Sequence, residues 1–527
     1  MSKSLLLILS FLTLCGSIVS AQVDNYSAGL NGQKFDWMLF YLDEHYVDDV
    51  DLDSLTSIAI RSVAEQLDPF TVYQTTAEVE QQTNADKGYS GKAVGFSFYM
   101  VHDTAVVTYI NDKGPADLGG LKRGDQILAM NSKPMTNVHY SVLNELMDDQ
   151  EIEDYNLDVL RSGQAYSVSF TKDLIPWTSV KAAYMMTDRI GYIKIGKFTL
   201  KTMEEFVPSL SYLTSLGMQE LVLDLRGNNG GVVEQAYQLA DQFLREGQLV
   251  YAAEGINMER EEFTATAKGG WVYGKLAVLQ DDYTASASEV FIGAMQDWDR
   301  AVILGVTTYG KGLIQQSYKL GDGSNIRITI GRYTTPTGRP LLRTRAEAED
   351  VMLPYKSALR ENSLTSSLDL PDDLIKQSKS GRRFAAGDGG IVPDIHYVYE
   401  PKETDTFYDD MNSAGLLYQF ATEYLHAERK DMISRFNSVN AMMEDRLFEA
   451  FMLQRLRIFL KEKKPYYVLP KNFPDKVVNQ LKTWMVSQLW HDNAYYEAEN
   501  ADDRLLWRAR EVMEGEMHDK LGINYKK

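Results

Sequence analysis

Several things are scarce in this chain of 527 residues, and each scarcity closes off a chemistry. It carries one cysteine, Cys15. Cys15 lies in an apolar N-terminal stretch, so a chain that loses that stretch has no disulfide and no thiol nucleophile. Its seven histidines are His45, His102, His139, His396, His426, His491 and His518. None falls between Trp177 and Ile395, so a serine–histidine pair built there would have to recruit a distant ring. There is no HExxH run and no Cys/His cluster, which leaves zinc chemistry without support. Neither phosphate-loop order, GxxxxGK[ST] or GxGxxG, occurs at the glycine turn Gly227-Asn228-Asn229-Gly230-Gly231, where Val232 follows in place of a lysine. Basic residues are outnumbered, 54 against 74 acidic ones, for a formal net charge of −20. Nucleic acid, which needs a basic surface, is not an expected partner.

What is present begins with a leader. Lys3 supplies a positive start, Leu5 to Leu14 an apolar core, and Val19-Ser20-Ala21 a small-residue cleavage site, the pattern of a secretory signal over residues 1–21. The run is short for a membrane span. A lipid anchor at Cys15 is the weaker reading, because Leu14 is large where such sites take small residues. The expectation is an exported protein, with the periplasm as its destination.

The chain as a whole has ordinary composition, 44% hydrophobic and 24% charged, as folded domains do. Residues 22–87 show helical apolar faces (Phe35, Leu39, Leu42, Tyr46; then Leu55, Ile58, Ala59, Val63, Leu67), with Asp53 or Ser54 as a cap and Pro69 as a stop. Residues 88–173 switch to short strands and glycine turns, with a helix over Ser141–Met147. Residues 174–403 alternate strands such as Ile190–Ile195 and Leu221–Leu225 with helices over Met203–Leu216 and Val233–Leu244, which predicts a partly parallel sheet with active groups at its strand ends. Residues 404–527 predict four helices, Leu416–Phe436, Ala441–Lys461, Asp475–Trp490 and Asp502–Leu521. The fold class is therefore multidomain: a mixed α/β core preceded by an all-β domain, with helical regions at both ends. The helical regions offer surface for a homo-oligomer or an adaptor protein.

Three stretches of the α/β segment carry the chemistry. Leu276-Ala277-Val278-Leu279 reads as a buried strand, and Thr284-Ala285-Ser286-Ala287-Ser288-Glu289 then opens an apolar helix. A serine there is either a helix cap or a nucleophile beside free N–H groups. The turn Gly227–Gly231 is either a tight connection or a cradle for an oxyanion. Lys311, in Tyr309-Gly310-Lys311-Gly312, has no acid within the eight residues before it. A lysine works as a base only when burial away from carboxylates favours its neutral form.

These stretches together resemble the C-terminal processing (tail-specific) serine peptidases, family S41. So do Tyr333-Thr334-Thr335-Pro336-Thr337-Gly338-Arg339, Gly389-Gly390-Ile391-Val392-Pro393-Asp394 and the order of domains, over about Phe35 to Tyr399. Residues 88–173 resemble a PDZ domain, most specifically at Gly120-Leu121-Lys122-Arg123-Gly124-Asp125-Gln126-Ile127-Leu128. The resemblance implies Ser286 as nucleophile, Lys311 as base and Gln315 as the residue that orients the lysine. It implies an oxyanion hole from the N–H of Ala287 and of Gly230 or Gly231. Ser288 and Glu289 are read as structural. Val94, Gly95 and Phe96 would receive the terminal carboxylate of a peptide, with Ala93 where many such loops begin on glycine. The implied activity is endopeptidase cleavage of protein or peptide substrates with a free C-terminus, needing no metal or cofactor. The alternative is a scaffold of the same fold that binds peptides without cutting them.

Overall fold

The computed structural model describes residues 29–267, 269–343, 364, 374–386, 389–397, 406–490 and 492–523. The leader expected over residues 1–21, with Cys15, lies outside the described residues. The chain forms two compact units, one taking the residues up to Thr76 together with Gln316–Thr329, the other Ala77–Gln315 and Ile330–Lys527.

In the smaller unit, a helix over 29–45 is followed by Leu52–Glu65 and the short strand Val72–Gln74. The second helix is capped by Asp51, not by Asp53 or Ser54. The extended backbone of Asp51 aims its carboxylate at the third helical N–H, that of Ser54, at 3.0 Å. Val72–Gln74 pairs antiparallel with Asn325–Arg327.

The larger unit is organised by a six-stranded sheet. Its strands are β1 (Val180–Met185), β2 (Ile190–Ile195), β3 (Glu220–Asp224), β4 (Lys275–Gln280), β5 (Val302–Gly305) and β6 (Ile395–His396), side by side in that order. β1 runs antiparallel to β2, and all later pairs are parallel. Parallel strands are covered on both faces, which is why Leu221-Val222-Leu223 and Leu276-Ala277-Val278-Leu279 are apolar without alternation. Leu221, Leu223, Val278 and Ile303 face helices α1 (Thr202–Ser215), α2 (Val233–Asp241) and α3 (Ala287–Asp297). Val222, Ala277, Leu279, Val302 and Leu304 face the other way, onto Leu505, Leu506, Ala509, Val512 and Met513 of helix α4 (Arg504–Glu514). The last stretch of the chain is thus the second cover of the sheet. All eleven residues of α3 are buried, as expected of a helix that is apolar on nearly every side.

Residues 93–171 contain an antiparallel sheet with strands Phe96–Val101, Thr104–Ile110, Gln126–Met130, Asp154–Arg161 and Gln164–Thr171 in that spatial order. Phe96–Val101 is an edge strand among the described residues. Tyr140–Asp148 is a helix and shares the core through Leu143. The helices Thr406–Ser413, Leu416–Arg435, Val439–Glu444, Arg446–Lys463 and Asp475–Leu489 share one core of their own. The stretch predicted as one helix over Ala441–Lys461 is two. Asp445 breaks it because its carboxylate caps the second piece by accepting from Phe448 N–H at 2.7 Å.

Candidate active site

The turn at the end of β4 is braced by side chains that bind their own backbone. Asp281 Oδ1 accepts from the N–H groups of Tyr283 and Thr284 at 3.1 and 3.0 Å. Both Asp281 oxygens accept from Gly227 N–H at 3.0 Å, which fastens the turn to the glycine stretch after β3. Thr284 Oγ1 accepts from Asp281 N–H at 2.9 Å and donates to Leu225 O at 3.0 Å. A threonine keeps the hydroxyl these two bonds need.

Ser286 is the residue before the first turn of α3, at φ 56° and ψ −116°. Positive φ is costly for a side chain other than glycine and is held only where the surroundings enforce it. Here Ser286 N–H donates to Glu289 Oε2 at 2.8 Å. The helix dipole and the first N–H groups of α3 then point toward the serine. Ser288, by contrast, points inward and donates to Asn228 O at 3.1 Å.

The glycine turn lies directly against the serine. A Cβ on Gly230 would stand 2.8 Å from Ser286 Cβ and from Ala285 O, and one on Gly231 would stand 2.0 Å from Phe198 O. Their φ values of 98° and 132° also favour glycine. The two N–H groups differ. That of Gly230 donates to Asn228 Oδ1 at 2.9 Å, while Asn228 itself is tied to Ile195 O at 3.0 Å. Among the described hydrogen bonds, the N–H groups of Gly231 and Ala287 donate to no protein acceptor.

Lys311 belongs to another loop, which reaches the serine through one carboxylate. Glu289 is fully buried. Its Oε1 accepts from Thr308 Oγ1 at 2.6 Å and Gly310 N–H at 2.7 Å, and its Oε2 from Lys311 N–H at 2.8 Å as well as from Ser286 N–H. Burial raises the pKa of this carboxyl, and the four donors pull it back. Tyr309 N–H donates to Thr284 O at 3.0 Å, a second tie between the loops. Lys311 is partly buried. Gln315 is partly buried in the strand Leu313–Lys319. The sequence shows no acid before Lys311; the fold sets one against its main chain from the far side. Glu289, expected to be structural, ties the two loops together through these bonds. The available signal was its place three residues after Ser286, the spacing at which a carboxylate reaches back to the cap N–H.

The other end of α3 is held by charge. Asp297 Oδ1 accepts from Arg339 Nη2 at 2.5 Å and Oδ2 from Thr337 Oγ1 at 2.7 Å. Just beyond the helix, Asp299 pairs with Arg382 and accepts from Ser378 Oγ at 2.5 Å, while Arg382 Nη1 donates to Asp394 at 2.7 Å. Burial alone would lower the pKa of Arg382, but Asp394 and Asp299 hold it above its ordinary value. Far from this centre, Val94, Gly95 and Phe96 open the edge strand of the small sheet. Gly95 is at φ 80°, with Pro115 and Ile175 crowding the place of a Cβ.

Residues 189–350 match the model of peptidase family S41 and residues 93–171 that of a PDZ domain. The carboxy-terminal processing protease CtpB of Bacillus subtilis (strain 168) is 28% identical over 305 residues, covering 56% of this chain and 62% of that protein. CtpA of the same strain is 28% identical over 362 residues, 66% of this chain and 77% of that one. A probable CtpA-like serine protease of Staphylococcus aureus (strain COL) is 30% identical over 315 residues, covering 58% of this chain and 62% of that protein. The match thus spans about three fifths of the length of two of these relatives.

Proposed function

From a chain that carries a family S41 peptidase domain behind a PDZ domain, we propose an exported serine endopeptidase that docks the C-terminus of a protein substrate and cuts the chain nearby. The observation that carries the reading is the single buried carboxylate of Glu289. It binds the main chain of Ser286 at 2.8 Å and of Lys311 at 2.8 Å, which supports reading the two residues as the nucleophile and base of one site.

Ser286 attacks the peptide carbonyl while neutral Lys311 takes its proton. Gln315 orients the lysine. The oxyanion is received by N–H groups of Ala287 and Gly231, the two that no protein acceptor claims among the described hydrogen bonds. Each is worth about 3 kcal/mol in the barrier. Gly230 contributes by its lack of a side chain, since a Cβ there would occupy the serine's space. Protonated Lys311 gives its proton to the departing amine, an acyl-enzyme remains, and water releases it. This is the serine–base design with lysine in the role of histidine. The PDZ domain takes the substrate's terminal carboxylate at Val94-Gly95-Phe96 and its last residues along the edge strand Phe96–Val101.

Cleavage of an unfolded protein by the wild type, Ser286→Ala and Lys311→Ala tests the reading. Both variants should fold and lose turnover, and the wild-type rate should rise with pH as Lys311 gives up its proton. Full turnover by either variant overturns the dyad. Failure of a serine-directed acyl probe to label wild-type Ser286 leaves the peptide-binding scaffold in its place.

A further inference from the structure

The glycine turn after β3 has little conformational preference of its own. Gly227, Gly230 and Gly231 all adopt positive φ, at 73°, 98° and 132°. Such a segment takes its shape from its anchors. The downstream anchor is Val232, whose N–H donates to Phe198 O at 2.9 Å. The upstream anchor is Arg226, and it is fixed from several directions. Its N–H donates to Asp224 Oδ1 at 2.9 Å, and its O accepts from Lys194 Nζ at 3.2 Å. Its Nε and Nη2 grip Asp224, at 3.0 Å to Oδ1 and 2.6 Å to Oδ2. Asp224 is fully buried and also accepts from Tyr192 Oη at 2.8 Å. Burial would raise the Asp224 pKa, but Arg226 and Lys194 hold it well below the carboxylate range.

Two cations thus surround one buried anion, and the guanidinium has an edge left over. That edge, Nη1, meets Asp503 Oδ2 at 2.7 Å, with only 14% and 19% of the two side chains exposed. Asp503 is the N-cap of α4 and accepts from Leu506 N–H at 3.0 Å. It lies well beyond residues 189–350, the extent of the peptidase match. Without Asp503, Nη1 is a buried donor with no acceptor, and Arg226 must turn to find one. That turn would pull on Gly227 against its bond to Asp281, and beyond it on Asn228, whose side chain is tied to Ile195 O, and so on the backbone that leads to the Gly231 N–H.

We infer that Asp503 is a positioning residue for the oxyanion turn, acting through Arg226, so that the C-terminal helix which covers the sheet also sets the catalytic geometry. This rests on the proposed peptidase reading. The test is Asp503→Ser in the full chain, because serine keeps the helix cap but is too short to reach Arg226. Three quantities are compared with wild type: the rate at which a fluorophosphonate labels Ser286, kcat and KM on an unfolded substrate, and the thermal midpoint. The expected result is a fall of about tenfold in labelling and in kcat, less than the loss of a whole donor, with KM unchanged, both rates being read well below a midpoint that itself drops because Arg226 loses a buried acceptor. Wild-type labelling and kcat in Asp503→Ser overturn the inference. So does a kcat that falls only in proportion to the folded fraction at the assay temperature while the folded protein is labelled at the wild-type rate, which marks a merely structural pair. A wild-type protein that is never labelled at Ser286 overturns the peptidase reading itself, and is thereby told apart from failure of the inference alone.

Discussion

The two ends of helix α3 hold acidic residues by opposite means. At the N-terminal end Glu289 is buried among neutral donors, three backbone N–H groups and one hydroxyl. At the C-terminal end Asp297 and, just past it, Asp299 are met by Arg339 and Arg382. The helix dipole favours an acid at the first end and opposes one at the second. Guanidinium groups offset that opposition; nothing of the kind is needed at the first. The lesson is a division of labour. Strong charge pairing fixes the helix where no chemistry occurs. At the end that carries Ser286 the carboxylate itself is held by neutral donors, and the nearby guanidinium of Arg343 binds the carbonyl of Thr308 at 3.0 Å instead of Glu289.

The largest effect that would break this comparison is at the charged end. Arg382→Ala strands Asp299 and Asp394 in the interior, and a calorimetric or denaturant measurement should show a loss of about 3–5 kcal/mol. A loss below about 1 kcal/mol would mean that the pairing is incidental. Next comes Glu289→Gln. An amide must turn its NH2 toward a backbone N–H on one side or the other, so the isosteric change is not conservative. A cost of about 2–3 kcal/mol is expected, seen as a fall in kcat of one to two orders of magnitude. Unchanged kcat would show that the carboxylate does not hold the two loops in register. Smaller still is Ser288→Ala, which removes the 3.1 Å bond to Asn228 O and should cost about 1 kcal/mol of stability while turnover stays within about threefold. Loss of turnover as complete as in Ser286→Ala would exchange the roles of the two serines.

The smallest effect is a slope with pH. The pKa of Glu289 is raised from 4.5, chiefly by burial, so the native protein binds this proton more tightly than the unfolded chain. Its contribution is fully present below the unfolded value and is lost as pH rises through the raised one. Arg382 is held above its ordinary value, so its contribution is level across neutral pH. Thermal midpoints measured from pH 4 upward should fall for wild type relative to Glu289→Gln. Parallel curves would remove the difference in kind between the two ends.

Local pattern was enough for much of this. Ile190–Ile195 and Gln126–Met130 fall on observed strands, and Leu416–Phe436 and Asp475–Trp490 on observed helices, within a residue or so. In each, apolar period and end signals agree. The hairpin Leu249–Gly255 with Met258–Thr264 has no local signature, because Met258-Glu259-Arg260-Glu261-Glu262 has the polarity of a solvated loop. Asp502–Leu521 was read as one helix, yet Gly515 ends the first piece and its sheet-facing role depends on contacts over two hundred residues away. The same limit applies to the site. Ser286, Lys311 and the glycine turn have local signatures. The tie through Glu289 joins positions far apart in the chain, and the choice between Gly230 and Gly231 depends on where one asparagine side chain points.

The cover that α4 lays over the sheet also has a meaning in time. Synthesis runs from the N-terminus, so Ser286 and Lys311 are made long before Leu505 to Met513 exist. Until those residues arrive, one face of the central sheet stays wet and the edge of Arg226 that Asp503 meets has no acceptor. The second cover of the sheet and the acceptor for Arg226 therefore arrive together, after every strand they lie on has been made.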